Sequence, residues 1–173
     1  MFAGSLVAVV TPMTPSGAID FAAWDRLLDF HAAAGTSGVV VGGTTGESAT
    51  LDYEEHIRVI ALAVEICAGK IKVMAGTGAN STKEAIYLTQ EAEKVGADAS
   101  LQVAPYYNKP PQDALLEHLK QVAKCTSLPI MLYSIPGRCG VEIGIDTCAR
   151  LSKACRNIVG IKEAGGNADR VSQ

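Results

Sequence analysis

The sequence predicts an α/β fold built on a parallel sheet, and three observations carry that prediction. Short apolar, β-branched runs recur about every 30 residues, the length of one strand-plus-helix unit. Between them lie longer stretches with the 3.6-residue apolar period of amphipathic helices. Those stretches open on capping residues and close on glycines, so their boundaries agree with their periodicity.

The first strand is expected over 6–10 and the first helix over 21–34. Asp20 caps that helix, Phe21, Trp24, Leu27, Leu28 and His31 share one face, and Gly35 ends it. The second strand, 38–41, leads to a helix that opens on a capping box, Asp52 with Glu55, and ends at Gly69. A third strand at 71–75 precedes a helix that begins with Ser81 and Glu84 and ends at Gly96. The fourth strand is 99–103, followed by a helix over 112–125 with Leu115, Leu116, Leu119 and Val122 inward. Strand five is 129–133, a weaker helical pattern covers 146–154, and the sixth strand is 157–161. Strict alternation produces right-handed crossovers, so the candidates are a (β/α)8 TIM barrel or an open doubly wound sheet. Barrels of that type typically need about 250 residues. The 173 residues here would leave a barrel two βα units short, whereas six strands can make an open sheet, so a barrel reading implies an incomplete chain.

A hydrophobic content of 48% with only 5% aromatics describes an aliphatic, soluble domain rather than a disordered chain. The net charge of -3 and the absence of a basic run supply no footprint for nucleic acid or an anionic membrane. No apolar stretch reaches the ~20 residues that span a bilayer. Five cysteines with no Cys-x-x-Cys pair fit reduced thiols, so a cytoplasmic protein acting on small metabolites is expected. His31, His56 and His118 lack metal-ligand spacing, and no metal site is expected.

The sixth strand runs into Lys162. Burial disfavours the ammonium form of lysine, and a neutral ε-amine attacks carbonyls to form a Schiff base; the bland alternative is a side chain that snorkels into water. Other strand-following loops add matching chemistry. Gly42-Gly43-Thr44-Thr45-Gly46-Glu47-Ser48 offers backbone N–H groups and two hydroxyls to a small carboxylate, or else is a plain glycine turn. Gly76-Thr77-Gly78-Ala79-Asn80-Ser81 imitates a dinucleotide fingerprint, but serine replaces the third glycine and the motif follows the wrong strand. Pro105-Tyr106-Tyr107-Asn108 and Tyr133 bring phenols that shuttle protons, and Arg138 in the loop 134–138 can grip a carboxylate. An amine, tyrosines, hydroxyls and a guanidinium together supply a nucleophile, a proton relay and carboxylate clamps.

These motifs, with Gly4-Ser5, Val10-Thr11-Pro12-Met13 and Gly160-Ile161-Lys162-Glu163-Ala164, resemble the dihydrodipicolinate synthase family over essentially the whole chain. The resemblance implies one partial (β/α)8 TIM-barrel domain, 1–173, truncated after strand six, with strands seven and eight and the C-terminal helical region absent here. It implies Schiff-base formation between Lys162 and pyruvate, with Tyr133 as proton donor and acceptor and Thr44 and Tyr107 completing the relay. It further implies that Thr45 binds the pyruvate carboxylate and that Arg138 orients L-aspartate 4-semialdehyde. The implied product is 4-hydroxy-tetrahydrodipicolinate, on the route to diaminopimelate and lysine, formed with no metal or organic cofactor by a homodimer or homotetramer. Ser48, Ala49, His56, Asn80, Glu84 and Tyr106 match a lysine-feedback pocket, although Tyr53 stands where some lysine-sensitive members have histidine. Ser134 and Cys139 also depart from the usual asparagine and threonine. The competing readings are a sister pyruvate lyase, acting on N-acetylneuraminate or 2-keto-3-deoxy-sugar acids, and a non-catalytic fragment of such an enzyme.

Overall fold

The computed structural model describes residues 2–173, in which six strands alternate with helices along the chain. They fall into two compact units, residues 2–76 with 91–99 and residues 77–90 with 100–173.

In the first unit β1 (Leu6–Ala8), β2 (Gly38–Val41) and β3 (Lys72–Gly76) pair in parallel and in chain order. β1 is shorter than the expected 6–10: Val9 still donates to the Val40 carbonyl, but Val10 is half exposed and leaves the sheet. α1 (Phe21–Ala33) is capped by the Asp20 carboxylate, which accepts from the Ala23 N–H, and it buries Trp24 and Leu28. His31 is only half-buried, and its Nδ1 lies 3.2 Å from the Thr36 hydroxyl. α2 (Tyr53–Cys67) has the expected reciprocal capping box, with the Asp52 and Glu55 carboxylates each accepting from the other residue's N–H. Its buried face, His56, Val59, Ile60, Ala63 and Cys67, packs into a core shared with Val39, Val41, Val73 and Ala75. Asp98 closes the unit by accepting from both the Val73 N–H and the Lys72 ammonium.

The second unit repeats the parallel, in-order pairing with β4 (Ala99–Val103), β5 (Ile130–Ser134) and β6 (Ile158–Glu163). α3 (Thr82–Lys94) contributes its first turns to this unit. Along α4 (Gln112–Lys124) the expected residues Leu115, Leu119 and Val122 are buried; they pack with Ile130, Leu132 and Leu151 of α6 (Ile145–Ala154). Residues 136–139, expected as loop, form a short helix, α5 (Pro136–Cys139), because Pro136 suits a first helical position and Gly140, at φ +72°, ends it. A polar knot ties α3 to β4 within this unit. The Gln102 amide nitrogen lies 2.7–2.9 Å from the hydroxyls of Ser100, Thr77 and Thr89, all fully buried.

Among the described residues no helix is long and apolar enough to cross a membrane, and no cluster of three or more potential metal ligands occurs.

Candidate active site

Lys162 and Tyr133 sit opposite one another in the parallel register of β5 and β6. Side chains alternate across a sheet, so the register decides which of them can meet. Ile130 and Leu132 face the helices, and Tyr133 and Lys162 therefore share the other face. There the Lys162 Nζ lies 4.2 Å from the centre of the Tyr133 ring. Tyr133 is only 5% exposed and Lys162 is half-buried. A cation over an aromatic face gains about 0.5–2 kcal/mol, which holds the flexible lysine chain beside the phenol. The amine and the phenol are thus brought together by strand register.

Glu163, next in the strand, points to the opposite face and ties down the segment that follows β6. One of its carboxylate oxygens accepts from the Gly165 N–H at 2.6 Å and the other from the Arg170 Nε at 3.1 Å. Arg170 also donates to the Ile143 carbonyl at 2.8 Å and pairs with Glu142 at 3.2 Å, leaving its side chain 14% exposed. Sequence reasoning missed this clamp. The only signal was a carboxylate directly after the lysine with an arginine seven residues on, a spacing common in any strand-to-turn segment. A cavity of about 530 Å³ lies against Leu132, Ile161, Glu163, Cys148 and Arg170, the helix side of β6, and is not lined by Lys162 or Tyr133.

The remaining candidates of this unit are placed as follows. Tyr107 is 90% exposed with φ +75°, a left-handed backbone uncommon outside glycine. Asn80 donates to the Tyr106 carbonyl at 3.2 Å, joining two of the candidate feedback residues; Glu84 lies on the first turn of α3. Arg138 is exposed on α5. Cys139 is 2% exposed and burial pushes its thiol up, which makes it a filler rather than a reactive group.

In the first unit the loop after β2 carries Thr44 and Thr45, both exposed. Its turn is closed by the Gly43 carbonyl, which accepts from the N–H groups of Gly46 and Ser48, while the Thr11 hydroxyl donates to the Gly46 carbonyl at 2.7 Å. Ser48 and Ala49 lie in the following 3-10 turn, Ser48–Thr50, entered through Glu47 at φ +58°. His56 is 4% exposed, with its Nε2 at 2.8 Å from the Gly76 carbonyl. Burial pushes its imidazole below the ordinary range, and the hydrogen bond to Gly76 offsets only part of that shift.

The model of the dihydrodipicolinate synthetase family matches residues 1–173. A 4-hydroxy-tetrahydrodipicolinate synthase from Persephonella marina is 54% identical over the whole chain, which spans 59% of that relative's length. The crystal structure of dihydrodipicolinate synthase from Aquifex aeolicus superposes with a TM-score of 0.97 at 51% identity, covering 99% of this chain and 58% of that one. The Acinetobacter baumannii enzyme, crystallised with pyruvate, is 48% identical at a TM-score of 0.96, covering 98% of this chain and 58% of that one. The fold is accordingly the one expected from the sequence, a parallel (β/α) barrel truncated after strand six, rather than a doubly wound sheet.

Proposed function

Because the chain belongs to the dihydrodipicolinate synthetase family, we propose that it carries the Schiff-base chemistry of a 4-hydroxy-tetrahydrodipicolinate synthase. The observation that carries this reading is the Lys162 amine held 4.2 Å over the Tyr133 ring by strand register. Lys162 attacks the ketone of pyruvate and water leaves, giving a protonated imine. Loss of a methyl proton turns the imine into an enamine, whose carbon adds to the aldehyde of L-aspartate 4-semialdehyde. The amine of that adduct then displaces Lys162 and closes the ring of 4-hydroxy-tetrahydrodipicolinate.

In this reading Tyr133 exchanges protons with the bound intermediates, and the hydroxyls of Thr44 and Tyr107 extend the relay. Thr45 and the N–H groups of its loop hold the pyruvate carboxylate, and Arg138 takes the carboxylate of the semialdehyde. The exposure of Tyr107 fits a residue that serves a neighbouring copy in a homodimer or homotetramer. Five free cysteines fit a cytoplasmic setting. Ser48, Ala49, His56, Asn80, Glu84 and Tyr106 remain the candidate lysine-feedback set, to be dropped if millimolar L-lysine leaves activity unchanged.

The test is incubation with pyruvate, reduction with borohydride and peptide mapping, with circular dichroism as the folding control. An adduct on Lys162 that disappears in Lys162→Ala supports the reading. A folded chain without an adduct refutes it.

A further inference from the structure

His56 is held under the glycine loop by a hydrogen bond to one glycine and by close packing against another. Its Nε2 is 2.8 Å from the Gly76 carbonyl oxygen. A carbonyl can only accept, so Nε2 carries the proton and the ring donates. Gly42, at φ +64°, lies directly on that ring: a side-chain carbon there would stand 2.6 Å from Nε2 and 2.9 Å from Cδ2. Gly76 closes the arrangement, since a side-chain carbon on it would come within 2.5 Å of the Gly42 oxygen and 2.8 Å of the Gly43 nitrogen. Imidazole, Gly42 and Gly76 are therefore mutually in contact, with the one directional bond running from His56 to Gly76.

What stands on this support is the turn that presents Thr44 and Thr45. The Gly43 carbonyl accepts from two N–H groups of the turn, so a shift of Gly42 and Gly43 carries the whole turn with it. We propose that His56 is a positioning residue for the substrate carboxylate, acting through its hydrogen bond to Gly76 and the backbone of Gly42 to fix the loop 43–48. The inference rests on the proposed role of Thr45 and its loop in holding pyruvate. It gives His56 a task at the reaction that is separate from any feedback ligand.

The test compares His56→Leu, which fills similar space without a donor, with His56→Gln, whose amide nitrogen occupies the place of Nε2. The 173-residue chain is titrated with pyruvate, trapped with borohydride, and the adduct on Lys162 is quantified by mass. The half-saturating pyruvate concentration is expected to rise about tenfold in His56→Leu, the factor that one lost hydrogen bond represents. His56→Gln is expected to return it to within about twofold of the parent. If His56→Leu fails to melt like the parent, His56→Asn takes its place, because its shorter amide cannot reach the Gly76 oxygen. Equal shifts in the Leu and Gln variants would mean that ring shape alone matters, and unshifted variants would mean that the loop does not depend on His56; either overturns the inference while leaving the Schiff base standing. A parent chain with no adduct at any pyruvate concentration overturns the Schiff-base reading and this inference with it.

Discussion

Replacing Gly76 by alanine tests the glycine contact beneath the threonine loop, because the added carbon would meet backbone and not a yielding side chain. It would lie 2.5 Å from the Gly42 oxygen and 2.8 Å from both the Gly42 carbonyl carbon and the Gly43 nitrogen. Ordinary contact begins at 3.4 Å, so the strand end and the loop must separate by several tenths of an ångström. Forcing extra volume into a packed site costs about 1–3 kcal/mol. The same movement stretches the bond from His56 to the Gly76 carbonyl, adding about 1 kcal/mol. Against this, alanine restricts the unfolded chain and returns about 0.4–1 kcal/mol, since Gly76 is not in the left-handed region. The net loss of about 1–3.6 kcal/mol corresponds to a Tm lower by about 3–10 °C for a chain of this size. Gly137→Ala is the control: nothing lies within 4 Å of the added carbon, the site is in α5, and only the unfolded-state gain applies. Thermal melts followed by circular dichroism should therefore move in opposite directions. A Gly76→Ala variant that melts with the parent or above it refutes the packing argument.

Two further expectations concern titration and chemistry. Burial lowers the pKa of His56 and His118 from the ordinary 6.5 and raises those of the Cys67, Cys139 and Cys148 thiols above the ordinary 9.0. Below pH 6.5 the unfolded histidines take up protons that the folded ones refuse, and above pH 9.0 the unfolded thiols release protons that the folded ones keep. The contribution of these groups to stability is therefore full between those limits and falls on both sides, which urea melts from pH 5 to 10 would show; stability rising steadily below pH 6.5 would contradict it. Tyr133→Phe keeps the aromatic face under Lys162 but removes the phenol, so the borohydride-trapped adduct should still form while exchange of the pyruvate methyl protons slows about 10²–10⁴-fold. Tyr133→Leu should impair both, and a phenylalanine variant that exchanges at the parent rate would remove Tyr133 from the relay.

How much of this was legible in the sequence depends on how local each signal was. Helix starts and stops were legible because a capping box such as Asp52 with Glu55 is complete within four residues. Lys162 was legible from its place at the end of an apolar run, but its contact with Tyr133 required the strand register, which no local pattern specifies. Pro136-Gly137 looked like a turn because the same residues serve turns and helix starts, and only the packing of Cys139 and the left-handed Gly140 select the helix. His56 was singled out only because the resemblance places it in a feedback pocket; its burial at the same helical spacing as Val59, Ile60 and Ala63 was readable, but its bond to a carbonyl 20 residues away was not.

The glycines after β2 show why a motif alone could not assign their tasks. Gly42 is demanded by the fold, being left-handed and pressed against His56. Gly43 is not: its backbone is not left-handed, and an added carbon would meet only Val40 Cγ1 at an ordinary 3.6 Å. A glycine that packing does not require, set one residue before the threonines, is where close approach of a ligand supplies the reason. Gly43→Ala should therefore melt at or slightly above the parent, by the about 0.4–1 kcal/mol that restricting the unfolded chain returns. It should nevertheless raise the half-saturating pyruvate concentration for the Lys162 adduct. A drop in Tm like that of Gly76→Ala would show that Gly43 is structural after all, and an unchanged pyruvate response would show that the ligand does not approach the loop at this position.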